Sequence, residues 1–102
     1  HLQKKIVDYA EGVLKIVTME NCIFINLATS ITKDCDCMGY PQKPSMDDIG
    51  YLYGTDPVAL DKACLDLGGS KFSKINAVDK SIQTDYAEEK GIGEKKYNLI
   101  KI

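Results

Sequence analysis

A continuous apolar run from Cys22 to Ala28 constrains the fold of this 102-residue chain more than any other feature. The run reads Cys-Ile-Phe-Ile-Asn-Leu-Ala, is rich in residues that favour extended backbone, and shows little alternation between apolar and polar positions. Such a run is typical of a strand that is buried on both faces. We therefore expect a strand at the centre of a layered fold.

The segments around this strand predict the other layers. Residues 2–17 carry apolar side chains three and four positions apart, which predicts an amphipathic helix with Lys and Glu on its outer face. Residues 49–53 predict a second short strand. It leads to Asp56, a good helix N-cap, and to Pro57, which suits the first helical position. The helix that follows is expected to end at Gly68-Gly69.

The remaining third of the chain predicts less regular structure. Residues 70–81 look irregular, and Thr84 is expected to cap a short helix that stops at Gly91. Residues 97–102 predict a last strand at a sheet edge. The fold class is therefore α/β, with about three strands and three helices in the order α-β-loop-β-α-α-β. We expect residues 1–102 to form a single domain that belongs to a longer protein.

Charge and hydropathy narrow the classes of partner. All 13 basic residues are Lys, so the chain has no Arg. Arg supplies the forked hydrogen-bond donor that recognises phosphates and base edges, and we therefore expect no nucleic-acid partner. No apolar run approaches the length that spans a membrane, and no signal peptide is visible. We therefore expect a cytoplasmic protein with no membrane partner, whose four cysteines are reduced or bound to metal.

The polar stretch between the two strands, residues 29–48, holds the most distinctive motif, Lys33-Asp34-Cys35-Asp36-Cys37-Met38-Gly39. A long loop without periodicity in so small a domain is usually functional. It leaves the carboxyl end of the first strand, where open α/β sheets bind ligands. Asp56 follows the second strand, and we expect it to lie at the same edge of the sheet as the loop.

The residue types in this motif favour metal ligation. In Cys-x-Cys, two thiols can project to the same side of an extended segment and reach one cation. Cys35 and Cys37 as thiolates would repel Asp34 and Asp36, whereas a bound cation stabilises all four groups. We predict that Cys35 and Cys37 are ligands of a metal or an iron–sulfur cluster, with Asp34 and Asp36 as auxiliary oxygen ligands.

The motif supplies only part of a metal site. A tetrahedral or cluster site needs four ligands, and no second Cys pair exists, so we expect the cofactor to be incomplete or absent in this chain. The missing ligands could come from a carboxylate, another subunit, residues outside the chain, or His1 and Cys22. Cys64 and Cys22 sit in apolar contexts and are expected to be core residues. An EF-hand reading fails, because Met38 and Ser45 would hold two ligand positions.

Two other interpretations stay open. Cys35 and Cys37 could cycle between dithiol and disulfide as a redox enzyme. Alternatively, the domain is structural, and the activity lies in a missing amino-terminal part.

Several motifs together resemble a prokaryotic family. The sequence Ile-Thr-Lys-Asp-Cys-Asp-Cys-Met at residues 31–38 and Asp-Ile-Gly at 48–50 carry the resemblance, together with Thr-Asp-Pro-Val-Ala-Leu-Asp-Lys-Ala at 55–63. They are similar to proteins usually labelled "Fe-S center protein", which share the domain of unknown function numbered 362. The resemblance implies the carboxyl-terminal part of a longer protein, with the rest of that protein and a redox partner as its partners. It also implies an iron–sulfur or other metal site, used in redox chemistry or electron transfer.

Overall fold

In the computed structural model, residues 2–75 and 78–102 are described, and they form helices packed on a small antiparallel sheet. The mixed α/β class predicted from the sequence is confirmed, with two strands rather than three in the described residues. Two short 3-10 turns lie at Met19–Asn21 and Asp36–Met38. In chain order, the helices and strands are α1 (Leu2–Val17), β1 (Phe24–Ala28), β2 (Gly50–Gly54), α2 (Pro57–Gly68), α3 (Ser70–Ile75) and α4 (Ser81–Glu89).

The two strands pair antiparallel, with Phe24 opposite Gly54 and Ala28 opposite Gly50. Helix α2 covers the inner face of this sheet, where a small core forms from Leu52 of β2 and from Leu60 and Ala63 of α2. Since α2 follows β2 directly, it folds back across the sheet that precedes it.

The outer face of the sheet carries exposed apolar side chains, so the prediction that β1 is buried on both faces is wrong. Residues of β1 alternate between half-buried and exposed positions. The side chains on the outer face form two cross-strand pairs, Ile25 with Tyr53 and Leu27 with Tyr51. The described residues contain no second helical layer over these four side chains, because the helices all contact the inner face or one another.

The predicted third strand, at residues 97–102, is also wrong. These residues form no strand and pair with neither strand of the sheet. The hydroxyl of Tyr97 donates a hydrogen bond of 2.7 Å to the Asp66 carboxylate at the end of α2. The segment therefore starts against a helix, and the apolar alternation that suggested a strand is left without a sheet partner within the described residues.

The helices in the last third of the chain differ from the prediction in two places. Residues 70–75, expected to be irregular, form α3. Helix α4 starts at Ser81, so Thr84 lies inside it rather than capping it. Thr84 is buried, and its hydroxyl donates to the Ser81 carbonyl at 3.1 Å, which satisfies the polar group inside the helix.

A second small core and an ion-pair network hold α1 on α4. Val7, Val58 and Ala87 join α1, α2 and α4. At the rim, the Lys90 ammonium contacts Asp8 at 2.6 Å and Glu11 at 2.5 Å. The hydrogen bonds from Lys90 lower the pKa of both carboxyls below their ordinary values.

Candidate functional site

The chain between β1 and β2 forms a closed loop whose two ends are tied together. The Ser45 amide donates to the Ile31 carbonyl at 2.7 Å, and the Ser30 amide donates to the Asp48 carboxylate at 2.8 Å. Ser30 adopts a positive φ of 50°, a left-handed conformation that turns the chain out of the strand. The loop is therefore a compact excursion with close ends, of the kind that often carries function. Asp48 serves as part of this closure.

The two cysteines lie on a single 3-10 turn at the exposed end of the loop. The Cys35 sulfur accepts a hydrogen bond of 3.2 Å from the Cys37 amide, so Cys35 caps the turn. Gly39 ends the turn with a φ of 76°, which a residue without a Cβ adopts without strain. Cys35 and Cys37 form a disulfide, with their Cα atoms 5.1 Å apart. Both residues are exposed to solvent.

The carboxylates beside the cysteines have different surroundings. Asp34 accepts a hydrogen bond of 2.5 Å from the Tyr40 hydroxyl. This bond raises the pKa of Tyr40, because the neutral phenol is the donor. Gln42 makes two hydrogen bonds with the backbone of Asp34, at 3.0 and 3.1 Å. The Asp36 carboxylate has no hydrogen-bond partner within the described residues and is exposed.

The donor atoms around the turn do not make up a metal site. Within residues 2–75 and 78–102, no group of three or more His, Cys, Asp and Glu side chains is placed to hold one ion. Cys22 precedes the amino end of β1, whereas the loop follows its carboxyl end, and a five-residue strand is about 17 Å long. Cys22 therefore cannot join Cys35 and Cys37 at one ion. His1 lies outside the described residues.

Asp56 lies at the opposite end of the sheet from the cysteines. We expected the two to share an edge, but the strands are antiparallel, so their carboxyl ends point in opposite directions. The Asp56 carboxylate accepts hydrogen bonds from the Val58 and Ala59 amides at 2.9 and 3.2 Å and caps α2. Its other oxygen accepts from the Glu94 amide at 2.9 Å, so Asp56 serves the fold at this position.

The remaining candidate residues contact the body of the fold. Cys64 is half-buried, packs beside the Leu52 core, and accepts a hydrogen bond of 3.4 Å from the Asn26 side chain. The same Asn26 amide donates to Asp61 at 2.8 Å. Asp66 pairs with Lys62 and lies on the outer surface of α2. These contacts give each residue a structural role.

Two features near the loop were not found from the sequence. Tyr40 and Gln42 position Asp34 through contacts six and eight residues away, a spacing that matches no periodic pattern. A concave pocket of about 560 Å³ lies next to the loop. Lys33, Lys71 and Lys74 line it together with Asp47, so both charges are present. The loop and α3 line this pocket together, and no pattern in the sequence links residues that are about forty positions apart.

Comparison with known families identifies the family of this chain. Residues 1–66, which include α1, the sheet and the cysteine loop, match the family described as Domain of unknown function (DUF362), and the chain belongs to this family. None of the curated proteins and none of the solved structures matches the chain. Within the described residues, every helix is too short or too polar to cross a membrane.

Proposed function

We propose that Cys35 and Cys37 form a thiol–disulfide redox centre. The observation that carries the proposal is the Cys35–Cys37 disulfide on an exposed turn, at the end of a loop that is closed at its base. A disulfide between residues two positions apart does not link distant elements of the fold. It is accessible to a reaction partner, as an exchange centre must be.

The reaction would be exchange with a disulfide on a protein or small-molecule partner. The Cys35 thiolate attacks one sulfur of the partner disulfide and releases one partner thiol. Cys37 then attacks the mixed disulfide and releases the second thiol. The loop loses two electrons and two protons and becomes the disulfide, while the partner is reduced to two thiols.

One backbone hydrogen bond supports different roles for the two cysteines. In the reduced loop, the Cys37 amide that donates to the Cys35 sulfur would stabilise a thiolate there. Cys35 is therefore the attacking thiol and Cys37 the resolving thiol. The carboxylates of Asp34 and Asp36 repel a thiolate, so in the reduced loop they favour the protonated thiols.

Metal or iron–sulfur ligation is the second candidate, because two cysteines flanked by two carboxylates suit a cation better than a bare thiolate. Two thiolates make half of a four-ligand site. The other ligands would have to come from another subunit, from His1 or from a further part of the protein. We place both candidates in a reducing, cytoplasmic compartment, with the rest of the parent protein and a redox protein as partners.

Anaerobic purification followed by two measurements on the same sample separates the candidates. Iron, zinc and sulfide are quantified, and the thiols are alkylated before and after equilibration with reduced and oxidised glutathione. If the loop is a redox centre, the protein should be free of metal. Cys35 and Cys37 should then be the only residues whose alkylation changes with the glutathione buffer, and both should change together. Stoichiometric metal that disappears in Cys35→Ser and Cys37→Ser would favour ligation instead.

Cys64→Ser is the matched control, because this cysteine is tied to Asn26 and lies away from the loop. It should leave the alkylation pattern of the loop unchanged. A metal-free protein whose loop thiols stay reduced in every buffer would overturn both candidates and leave a structural role for the domain.

A further inference from the structure

An apolar groove lies between α1 and the edge of the sheet. It has a volume of about 450 Å³ and is lined by Ala10, Val13 and Leu14 of α1, by residues 24–26 of β1 and by Val58 of α2. Consecutive residues of a strand point to opposite faces, so a cavity that contacts residues 24, 25 and 26 must meet the edge of β1. Within the described residues, β1 pairs only with β2, so this edge has no strand beside it.

An exposed strand edge of this kind is a template for another strand. Its backbone amides and carbonyls point outward, and natural proteins usually cover, charge or shorten such an edge. Here the neighbouring side chains are mostly apolar, and the sheet has α2 on its inner face but no third strand within the described residues. The groove therefore fits an extended apolar segment that adds as a third strand beneath α1.

The chain itself contains a segment with these properties, residues 98–102, of sequence Asn-Leu-Ile-Lys-Ile. It has no regular structure and makes no backbone hydrogen bond within the described residues. Its apolar side chains are exposed, Ile100 at 78 % and Ile102 completely. Its five residues match the five residues of β1 in length.

The alternation of side chains fixes which face of this segment would enter the groove. In a strand, Ile100 and Ile102 share one face, and Leu99 and Lys101 share the other. The Lys101 ammonium needs water, so this face points to the solvent side of the sheet. Ile100 and Ile102 then point inward, beneath Val13 of α1.

The path of the chain favours a segment from a second copy. The Glu94 amide is fixed to Asp56 at the start of α2, and Tyr97 is fixed to Asp66 near its end. Between these two contacts the chain therefore runs along α2 from its start toward its end, away from the part of the helix that lines the groove. Residues 98–102 of the same copy would have to reverse direction to reach their own groove.

We propose that two copies of this chain exchange residues 98–102, each segment adding as a third strand to β1 of the other copy. The exchange is reciprocal and gives a closed two-fold dimer, since each copy has one groove and one segment. It would bury the exposed apolar side chains of both, and it leaves the Cys35–Cys37 loop free.

The test is the molar mass of the full chain, measured by sedimentation and light scattering from micromolar to millimolar concentration. We expect a dimer that Ile100→Asp and Val13→Asp each convert to a monomer, at least tenfold weaker in association. Each variant has a matched control on the same element. Leu99→Asp changes the solvent face of the segment, and Ile16→Asp changes an α1 side chain that is 84 % exposed and outside the groove. Both controls should remain dimers.

A mixing experiment tests the exchange directly. The Ile100→Asp chain keeps an intact groove, and the Val13→Asp chain keeps an intact segment. A mixture of the two should therefore form dimers that neither chain forms alone. Circular dichroism of each variant confirms that it is folded. A chain that is monomeric at all concentrations would overturn the proposal. This holds whether hydrogen exchange finds the amides of residues 98–102 exposed to solvent or protected within one copy. A dimer that survives Ile100→Asp and Val13→Asp together would also overturn it.

Discussion

The two ends of the small sheet carry similar residue types and use them differently. At the carboxyl end of β2, Asp56 is half-buried and accepts three backbone hydrogen bonds, two from α2 and one from Glu94. At the carboxyl end of β1, Asp36 is exposed without a hydrogen-bond partner in the described residues. One end holds the fold together, and the other presents a disulfide to solvent.

This difference shows that residue identity does not decide whether a polar group is structural or chemical. A carboxylate whose oxygens are occupied by backbone amides has little left for a ligand. A carboxylate or thiol at the tip of a closed loop can react without disturbing the core. The comparison predicts large losses of stability from changes at the Asp56 end and small losses from changes in the loop.

The largest effect is expected from Asp56→Ala. The change removes the cap of α2 and the anchor of residue 94, so the free energy of unfolding should fall by about 1–2 kcal/mol. Denaturant unfolding followed by circular dichroism measures this. Asp36→Ala is the matched control and should change the free energy by less than about 0.5 kcal/mol. Equal losses in the two variants would break the comparison.

Gly93→Ala should also be destabilising, by about 1 kcal/mol, because a Cβ at residue 93 would collide with the Asp56 carboxylate and displace the cap. The effect depends on Asp56, so the two changes should not be additive. A double-mutant cycle measures the coupling. Additive losses would mean that Gly93 matters for another reason.

A smaller effect is expected when acid removes the contacts of Lys90 with α1. The pKa values of Asp8 and Glu11 are lowered in the folded state, so their stabilisation is complete above the unfolded-state values near 4. It is lost as the pH falls through the folded-state values. When the pH is lowered from 7 to 3, the free energy of unfolding should therefore fall less for Lys90→Met than for the unaltered chain. Parallel pH profiles would contradict the assignment.

The smallest effect on stability is expected from Asp34→Asn, which should change only the loop. Without the carboxylate, the raised pKa of Tyr40 should return toward the ordinary value near 10. Ultraviolet titration of tyrosine measures this, with Tyr40→Phe identifying the signal. The free energy of unfolding should stay within about 0.5 kcal/mol. A loss as large as that of Asp56→Ala would show that the loop supports the fold.

Local signals in the sequence predicted the parts of the fold that depend on neighbouring residues. The start of α2 at Asp56-Pro57 and the span of α1 follow from capping chemistry and helical spacing. The polar character of residues 29–48 and their lack of periodicity indicated the loop. Those features are set within a few residues of the chain.

The features that were missed depend on distant contacts. An apolar run such as residues 22–28 does not reveal whether a layer covers each face, and here the outer face is exposed. Antiparallel pairing placed Asp56 away from the cysteines, which neither strand indicates alone. Residues 98–102 have the pattern of a strand, but pairing also needs a free edge within reach. The motif at Cys35 and Cys37 could be located from the sequence. Its chemistry could not, because thiol–disulfide exchange and metal ligation both remain candidates even with the disulfide in view.

The most direct test of the central claim is a redox titration of the loop. The unaltered chain is equilibrated with glutathione buffers over a range of potentials, quenched with acid and alkylated, and the oxidised fraction is measured by mass spectrometry. We predict a single two-electron transition confined to Cys35 and Cys37, with an unchanged far-ultraviolet circular dichroism spectrum. Oxidation that unfolds the chain, or that joins either residue to Cys22 or Cys64, would contradict it.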